Sequence, residues 1–141
     1  MNQSLILLPV YGQVLITFAV LFIMGGRRRA ALVSKATRLK DIALGQDAWP
    51  ADATKAANNF SNQFEVPVLF YAVSAFALLT RSVDAWMLGF ATLFVAARAV
   101  HAFIHLGGNM VMNRAYAYFV SVAAVLAMWV LLMGRTFAGG V

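Results

Sequence analysis

The sequence has no cysteine and few charged residues. Without cysteine it can form no disulfide, and it offers neither a thiolate nucleophile nor a cysteine ligand for a metal ion. Charged residues make up 11% of the 141 residues, compared with about 25% in an average soluble domain. Hydrophobic residues make up 62%, and the mean hydropathy is +0.79. This composition indicates an integral membrane protein, and the length fits one domain, residues 1–141.

Acidic residues are especially scarce, with 5 Asp and Glu against 11 Lys and Arg. In a soluble protein a pI near 10.3 would suggest binding to nucleic acid. Here most basic residues lie in one stretch between apolar segments, so we expect no nucleic-acid partner and interpret the charge as a topology signal that also attracts anionic lipid. The positive-inside rule places this stretch in the cytoplasm, and we expect a bacterial inner membrane as the location.

Four apolar stretches are long enough to cross a bilayer as helices, which requires about 20 residues each. They cover residues 5–26, 56–80, 85–106 and 115–133, and a basic loop covers residues 27–55. The predicted fold class is therefore an all-α membrane protein, a bundle of four transmembrane helices. Within the basic loop, residues 30–44 are expected to form a short surface helix. Pro67 removes a backbone N–H from the second span and is expected to kink it.

Polar residues within the second, third and fourth spans lie toward the basic loop and recur on one face of each of these helices. The three faces consist of Asn58, Asn62 and Glu65; Arg98, His101 and His105; and Arg114, Tyr118 and Ser121. Ionisable residues inside a membrane are costly, so they indicate a functional site by default. Glu65 and Arg98 have opposite charges at matching depths, and we therefore predict a buried ion pair between them.

Structural roles remain open for several of these residues. The Glu65–Arg98 pair could serve only to fix helix register, and His101 and His105 could hydrogen-bond between helices. A metal or bis-histidine haem site is disfavoured because no carboxylate or third histidine stands near these two in the sequence, so no metal site is predicted. The three arginines at 27–29 could simply anchor the first helix at the membrane surface. The concentration of three polar faces and three arginines at one depth nevertheless favours a functional site.

Two segments of the sequence resemble the MAPEG family, the membrane-associated proteins in eicosanoid and glutathione metabolism. Residues 62–70, NQFEVPVLF, resemble the family's N-x-x-E motif followed by proline and apolar residues. Residues 98–107, RAVHAFIHLG, followed by Arg114 and Tyr118, resemble its third helix, the connecting loop and the start of its fourth helix. The likeness covers nearly the whole chain, which looks like a bacterial-type member similar to microsomal glutathione transferases.

The resemblance implies a homotrimer that binds glutathione between neighbouring subunits near the cytosolic side. It also implies an enzyme that transfers glutathione to lipophilic electrophiles, reduces lipid hydroperoxides or isomerises lipid peroxides. Arg114 matches the catalytic arginine that stabilises the glutathione thiolate, and Tyr118 is the second predicted catalytic residue. The predicted glutathione-binding residues are Arg28, Asn58, Asn62, Glu65, Arg98, His101 and His105. The homotrimer interface is expected to include the face of Asn58, Asn62 and Glu65.

The sequence departs from the family pattern at three positions. Asn58 and Ser61 occupy positions where relatives carry arginine, and His105 replaces a usual tyrosine. Fewer positive charges are thus available to hold the glutathione carboxylates. The chemistry of Arg114 supports the thiolate role independently, because a thiol with a pKa of about 8.5 is mostly protonated at neutral pH. A fixed guanidinium in a low-dielectric cavity lowers that pKa, and Tyr118, one turn on, could donate a hydrogen bond to the same sulfur.

Two other functions compete with the enzyme. One is a non-catalytic membrane binding or structural protein that retains the MAPEG fold, and the other is a small oligomeric channel or transporter. A transport path needs polar groups through the whole membrane, but residues 70–79 and 86–96 are nearly all apolar, which argues against it. The enzyme and the non-catalytic protein differ in whether Arg114 lies beside a bound thiol.

Overall fold

The computed structural model describes residues 1–43, 45 and 47–139, and within these ranges all regular structure is helical. The helices are α1 (Leu7–Val33), α2 (Ala51–Ser61), α3 (Val66–Leu79), α4 (Ala85–Leu106) and α5 (Val111–Phe137). Short 3₁₀ turns, Gln3–Ile6 and Asn62–Phe64, adjoin them, and α2 and α3 form one membrane-crossing element. The described chain thus has four helical segments long and apolar enough to cross a membrane: Gln3–Val33, Ala51–Leu79, Ala85–Leu106 and Val111–Phe137. The predicted all-α fold with four membrane-crossing helices is confirmed.

The second membrane-crossing element is broken between α2 and α3. Glu65 has φ −94° and ψ −104°, values outside the helical region. Pro67 follows in the first turn of α3, where its missing N–H costs little because the first N–H groups of a helix have no helical partner. The kink expected at Pro67 is therefore present as a break just before it.

Three of the membrane-crossing helices are longer than their predicted spans, because the prediction followed only the apolar run. The first continues through the arginines to Val33, the second begins at Ala51, and α5 covers Val111–Phe137. A helix need not end where the hydrocarbon ends, since arginine and alanine favour helix and water satisfies exposed backbone groups.

The predicted surface helix over residues 30–44 is wrong. Ala30 to Val33 belong to the last turn of α1, and Lys35, with φ 59°, adopts the left-handed conformation that commonly follows a helix end. Within the described part of the loop, the next element is a 3₁₀ turn, Leu39–Asp41. Leu44, at the end of the predicted helix, lies outside the described residues, as do Gln46, Gly140 and Val141 of the predicted 1–141 domain.

The apolar core lies mainly in the half of the bundle away from the basic loop. Phe70 of α3 stacks on Phe94 of α4 with ring centroids 4.4 Å apart. The other buried apolar residues of this core are Ile6, Val73, Ala77, Val83, Met87, Ala91, Ala124, Val125, Met128 and Leu132. At that end Arg135 pairs with Asp84, which also caps α4 by accepting a hydrogen bond from the N–H of Met87. Because apolar contacts fill this half, the polar residues of the spans are concentrated at the other end.

Arg27 closes the bundle at the end that carries residues 34–50 and 107–110, which we call the basic end. Its Nη1 donates to the carbonyl of Asp52 over 3.0 Å, and its Nη2 donates to the carbonyl of Leu106 over 2.9 Å. The Asp52 carboxylate lies 3.8 Å from Nε. Arg27 thereby ties α1 to the start of α2 and to the end of α4, where helix carbonyls lack helical partners.

Candidate functional site

A cavity at the basic end brings together several of the predicted site residues. It has a volume of about 240 Å³ and lies where the end of α2 meets α4 and the start of α5. Its lining residues are Asn62, His101, Val111, Arg114, Ala115, Tyr118 and Phe119. Asn62, His101, Arg114 and Tyr118 are the predicted site residues among them. We call this space the Arg114 cavity.

Arg114 lies in the first turn of α5 and is held there by a neutral partner. Its Nη1 donates to Oδ1 of Asn109 over 2.6 Å. Asn109 has φ 50°, a left-handed conformation that asparagine tolerates better than most residues, and its N–H donates to the carbonyl of Ile104 over 2.9 Å. Among the described residues no carboxylate pairs with Arg114, so its charge is fixed in place but not neutralised. The sequence predicts a loop at Gly107, Gly108 and Asn109, but sequence reasoning missed the contact of Asn109 with Arg114.

His101 and Tyr118 form the adjoining wall of the Arg114 cavity. His101 Nδ1 lies 3.1 Å from the carbonyl oxygen of Arg114, and because a carbonyl only accepts, Nδ1 carries the hydrogen. Nε2 is then the acceptor of the neutral ring, and it has no partner in the part of the chain that the structure describes. The Tyr118 ring centroid lies 5.8 Å from that of His101. A cation, a phenol and an imidazole therefore share one small cavity.

A second cavity, of about 300 Å³, lies between α1 and α2. Its lining residues are Met24, Arg28, Trp49, Thr54, Ala57, Asn58, Phe60 and Ser61. The guanidinium carbon of Arg28 lies 5.0 Å from the ring centroid of Trp49, which is within the range of a cation–π contact. Of the three adjacent arginines, Arg27 joins helices and Arg29 is exposed, whereas Arg28 lines this cavity. We call this second cavity the Arg28 cavity.

A surface formed by α2 and the turn that follows it connects the two cavities. Asn58 lines the Arg28 cavity, and Asn62, one turn on, lines the Arg114 cavity. Asn58, Ser61 and Glu65 are exposed, and Asn62 is half-buried. These four residues, which we call the outward face, therefore point out of the single chain rather than into its core.

Residues 6–134 carry the sequence pattern of a known family, because the sequence model of the MAPEG family matches them. The chain belongs to the MAPEG family. Together with the four membrane-crossing helices of the described residues, this makes it an integral, multi-pass membrane protein of a family concerned with eicosanoid and glutathione metabolism. No curated protein and no solved structure is found to match it. The matched residues include the helix break and both cavities.

The ion pair predicted between Glu65 and Arg98 is wrong for the single MAPEG chain. Arg98 is fully buried, and its Nη2 donates to the backbone carbonyl of Asn62 over 2.7 Å. Glu65 is exposed and takes part in none of the ion pairs among the described residues. The physical reason is the break before Pro67, which turns Glu65 outward and presents the end of α2 to Arg98. Carbonyls at a helix C-terminus carry partial negative charge and attract a cation.

Arg98 and His105 line neither the Arg28 cavity nor the Arg114 cavity. Both are buried, and Nε and Nη1 of Arg98 and Nδ1 of His105 have no hydrogen-bond partner in residues 1–43, 45 and 47–139. The His105 ring lies 5.7 Å from that of His101, and within the same residues no three His, Asp or Glu side chains could hold a metal ion. For Arg98 and His105, contact with glutathione stays a prediction.

A buried chain of amides, which sequence reasoning missed, braces the same region of this MAPEG protein. Gln13 of α1 donates to Oε1 of Gln63 over 2.9 Å, and Gln63 donates to Oδ1 of Asn59 over 3.0 Å. Asn59 in turn donates to the carbonyl of Ala102 in α4 over 3.1 Å. All three amide side chains are at most 1% exposed. The signals in the sequence were a lone Gln13 in an apolar span and the i, i+4 spacing of Asn59 and Gln63.

Proposed function

We propose that this MAPEG protein is a glutathione-dependent membrane enzyme, a transferase or peroxidase that acts on lipophilic electrophiles or lipid hydroperoxides. The observation that carries the proposal is Arg114, a cation fixed by Asn109 in a cavity that also contains Tyr118. No carboxylate among the described residues neutralises it. Family membership supports glutathione as the co-substrate. Glutathione would supply the thiol nucleophile that a chain without cysteine lacks.

Arg114 would stabilise the thiolate of glutathione over the thiol. Its guanidinium stays charged at physiological pH, and in a partly buried cavity it attracts an anion more strongly than in bulk water. Backbone N–H groups at the start of α5 add partial positive charge in the same place. Tyr118 could donate a neutral hydrogen bond to the sulfur. Because these groups favour the thiolate directly, the reaction needs no general base to remove the thiol proton.

The position of the Arg114 cavity suits two substrates of opposite solubility. Arg114 lies at the basic end, which we assign to the cytoplasm from its charge, so a water-soluble thiol could reach it from that side. The neighbouring α4 and α5 are apolar enough to cross a membrane, so a lipophilic second substrate could arrive through the bilayer. We propose a bacterial inner membrane as the location, with the basic loop in the cytoplasm.

The active assembly that we propose is a homotrimer with the outward face at its interfaces. At 1.5 Å per residue, Glu65 lies about 20 Å along the second element from Ala51, and a carboxylate exposed to lipid at that depth is costly. A second copy that covered the outward face would remove Glu65, Asn58 and Asn62 from lipid and could hydrogen-bond to them. The Arg28 cavity of one protomer would then adjoin the Arg114 cavity of its partner, with glutathione between them.

The proposal is tested by titrating the detergent-purified protein with glutathione while recording thiolate absorbance and turnover of a generic lipophilic electrophile. Arg114→Ala should abolish the thiolate absorbance and most of the turnover, with assembly and thermal stability retained. Arg29→Ala is the matched control, because Arg29 is an exposed arginine at the same end and should leave both signals unchanged. Turnover by Arg114→Ala at the parent rate would refute the catalytic assignment. Glutathione binding without turnover of electrophiles or hydroperoxides would instead support the non-catalytic alternative.

A further inference from the structure

Trp49 forms one wall of the Arg28 cavity, although it belongs to the loop before α2 rather than to a membrane-crossing helix. Its ring faces the Arg28 guanidinium, with 5.0 Å between the guanidinium carbon and the ring centroid. Tryptophan offers the most favourable aromatic face for a cation. The contact restricts a side chain that otherwise has many rotamers, and so it contributes to where the charge of Arg28 lies in the cavity.

The backbone of Trp49 is tied to α2, which fixes the ring relative to the other cavity residues. Thr54 Oγ1 donates to the carbonyl of Trp49 over 3.3 Å, and the N–H of Thr54 donates to the carbonyl of Pro50 over 3.0 Å. Thr54 and Asn58 lie one turn apart on α2, and both line the cavity. The aromatic ring, the guanidinium and the Asn58 amide are therefore held by elements that are joined to one another.

The lining of the Arg28 cavity indicates an anionic ligand group. Arg28 is charged, Thr54, Asn58 and Ser61 are neutral hydrogen-bonding residues, and none of the described lining residues is acidic. Glutathione carries two carboxylates at the ends of the peptide and a thiol between them. If Arg114 stabilises the sulfur, a carboxylate needs a separate cation, and Arg28 of the partner subunit, whose cavity would adjoin the Arg114 cavity, can supply it.

We propose that Trp49 is a positioning residue that determines affinity for the carboxylate end of the thiol substrate by holding Arg28 in the cavity. The inference rests on the proposed function, because it assigns a role within the same glutathione site. Trp49 touches the guanidinium rather than the reacting sulfur. It therefore governs substrate affinity and leaves thiolate formation to Arg114.

The test is the steady-state kinetics of Trp49→Leu, Trp49→Phe and the parent with glutathione as the varied substrate. Trp49→Leu should raise the KM for glutathione about 3- to 30-fold, the range of a cation–π contact, with kcat and the thiolate absorbance at saturation unchanged. Trp49→Phe, which keeps an aromatic face, should recover most of the affinity. Trp86→Leu is the matched control, because Trp86 is exposed at the other end of the bundle and should leave KM unchanged.

Two further measurements separate positioning from a structural role. In an Arg28→Gln background Trp49→Leu should have no additional effect, since Trp49 acts through the guanidinium. With the diethyl ester of glutathione as substrate, Trp49→Leu should not change KM, because the ester lacks carboxylates. If Trp49→Leu fails to assemble, Trp49→Met, which also lacks an aromatic face, takes its place in the same comparisons.

Three results would each overturn the role of Trp49 while leaving the proposed function intact. They are additive effects of the Trp49 and Arg28 changes on KM, an equal loss of affinity for the diethyl ester, and a fall in kcat at unchanged KM. A parent protein that neither binds glutathione nor forms its thiolate would overturn the proposed function and this inference together.

Discussion

Gln63→Leu should destabilise the protein strongly, although Gln63 lines neither cavity. Leucine has nearly the same volume but removes the bond from Gln13 and the bonds to Oδ1 and the carbonyl of Asn59. Nε2 of Gln13 and Oδ1 of Asn59 then stay buried without partners, and each such group costs about 1–3 kcal/mol. Hydrogen bonds between membrane helices are measured at about 0.6 kcal/mol on average, which argues for the lower part of that range. We therefore expect a loss of about 2–4 kcal/mol in the free energy of unfolding.

The assay is unfolding of the protein in bicelles by sodium dodecyl sulfate, followed by circular dichroism. Asn113→Leu is the matched control, because Asn113 is an exposed amide of α5 whose side chain makes no hydrogen bond within the described chain, and its change should cost less than about 0.5 kcal/mol. The double variant with Gln13→Leu and Gln63→Leu should lose less free energy of unfolding than the sum of the losses of the two single variants, since each single change leaves the other amide unpaired. A loss for Gln63→Leu no larger than that for Asn113→Leu would refute the bracing role of the amide chain.

The same contacts predict three other outcomes. Arg98→Met should lower the free energy of unfolding by less than about 1.5 kcal/mol and Arg98→Ala by about 3–5 kcal/mol, because methionine fills the buried volume that alanine leaves empty. Equal melting temperatures for the two variants would contradict this. Asn109→Ala should loosen Arg114, which would then stabilise the thiolate less. The pKa of bound glutathione should therefore rise by about one unit and the thiolate fraction at neutral pH should fall, as a pH titration of the absorbance would reveal. Native mass spectrometry of the detergent complex should find three copies of the chain, and a monomer or dimer that retains glutathione binding would rule out the trimeric site.

The helix boundaries show which parts of the fold were predictable from the sequence. α4 has the expected limits because its apolar run is bounded by chemical signals, with the Asp84 side chain capping its start and Gly107 following its end. The first span has no such signal at its end. Arginine is a good helix former and is also readily exposed to water, so α1 continues through the three arginines. It ends just before Lys35, which adopts the left-handed conformation.

The relative placement of the polar side chains was predicted correctly where helices are continuous and incorrectly where the second element breaks. Arg114 and Tyr118 lie one turn apart on an unbroken helix, and both line one cavity, as their spacing predicts. The predicted pairing of Glu65 with Arg98 assumed that helical spacing continued from Asn58 to Glu65. The 3₁₀ turn over Asn62–Phe64 changes the rotation per residue, so the direction of Glu65 cannot be read from spacing alone.

The neighbouring polar residues of α2 and the turn after it explain why the candidate site lies on the surface of the chain. Successive residues of a helix point about 100° apart, so Asn58 and Asn59 at adjacent positions face different surroundings. Asn59 points inward and, with Gln63, forms the amide chain that fixes α2 against α1 and α4. Hydrogen-bonding groups that brace the core are not available to a ligand. Among the described residues the side chains of Asn58 and Asn62 make no such bonds, and because they face outward, the single chain does not enclose them.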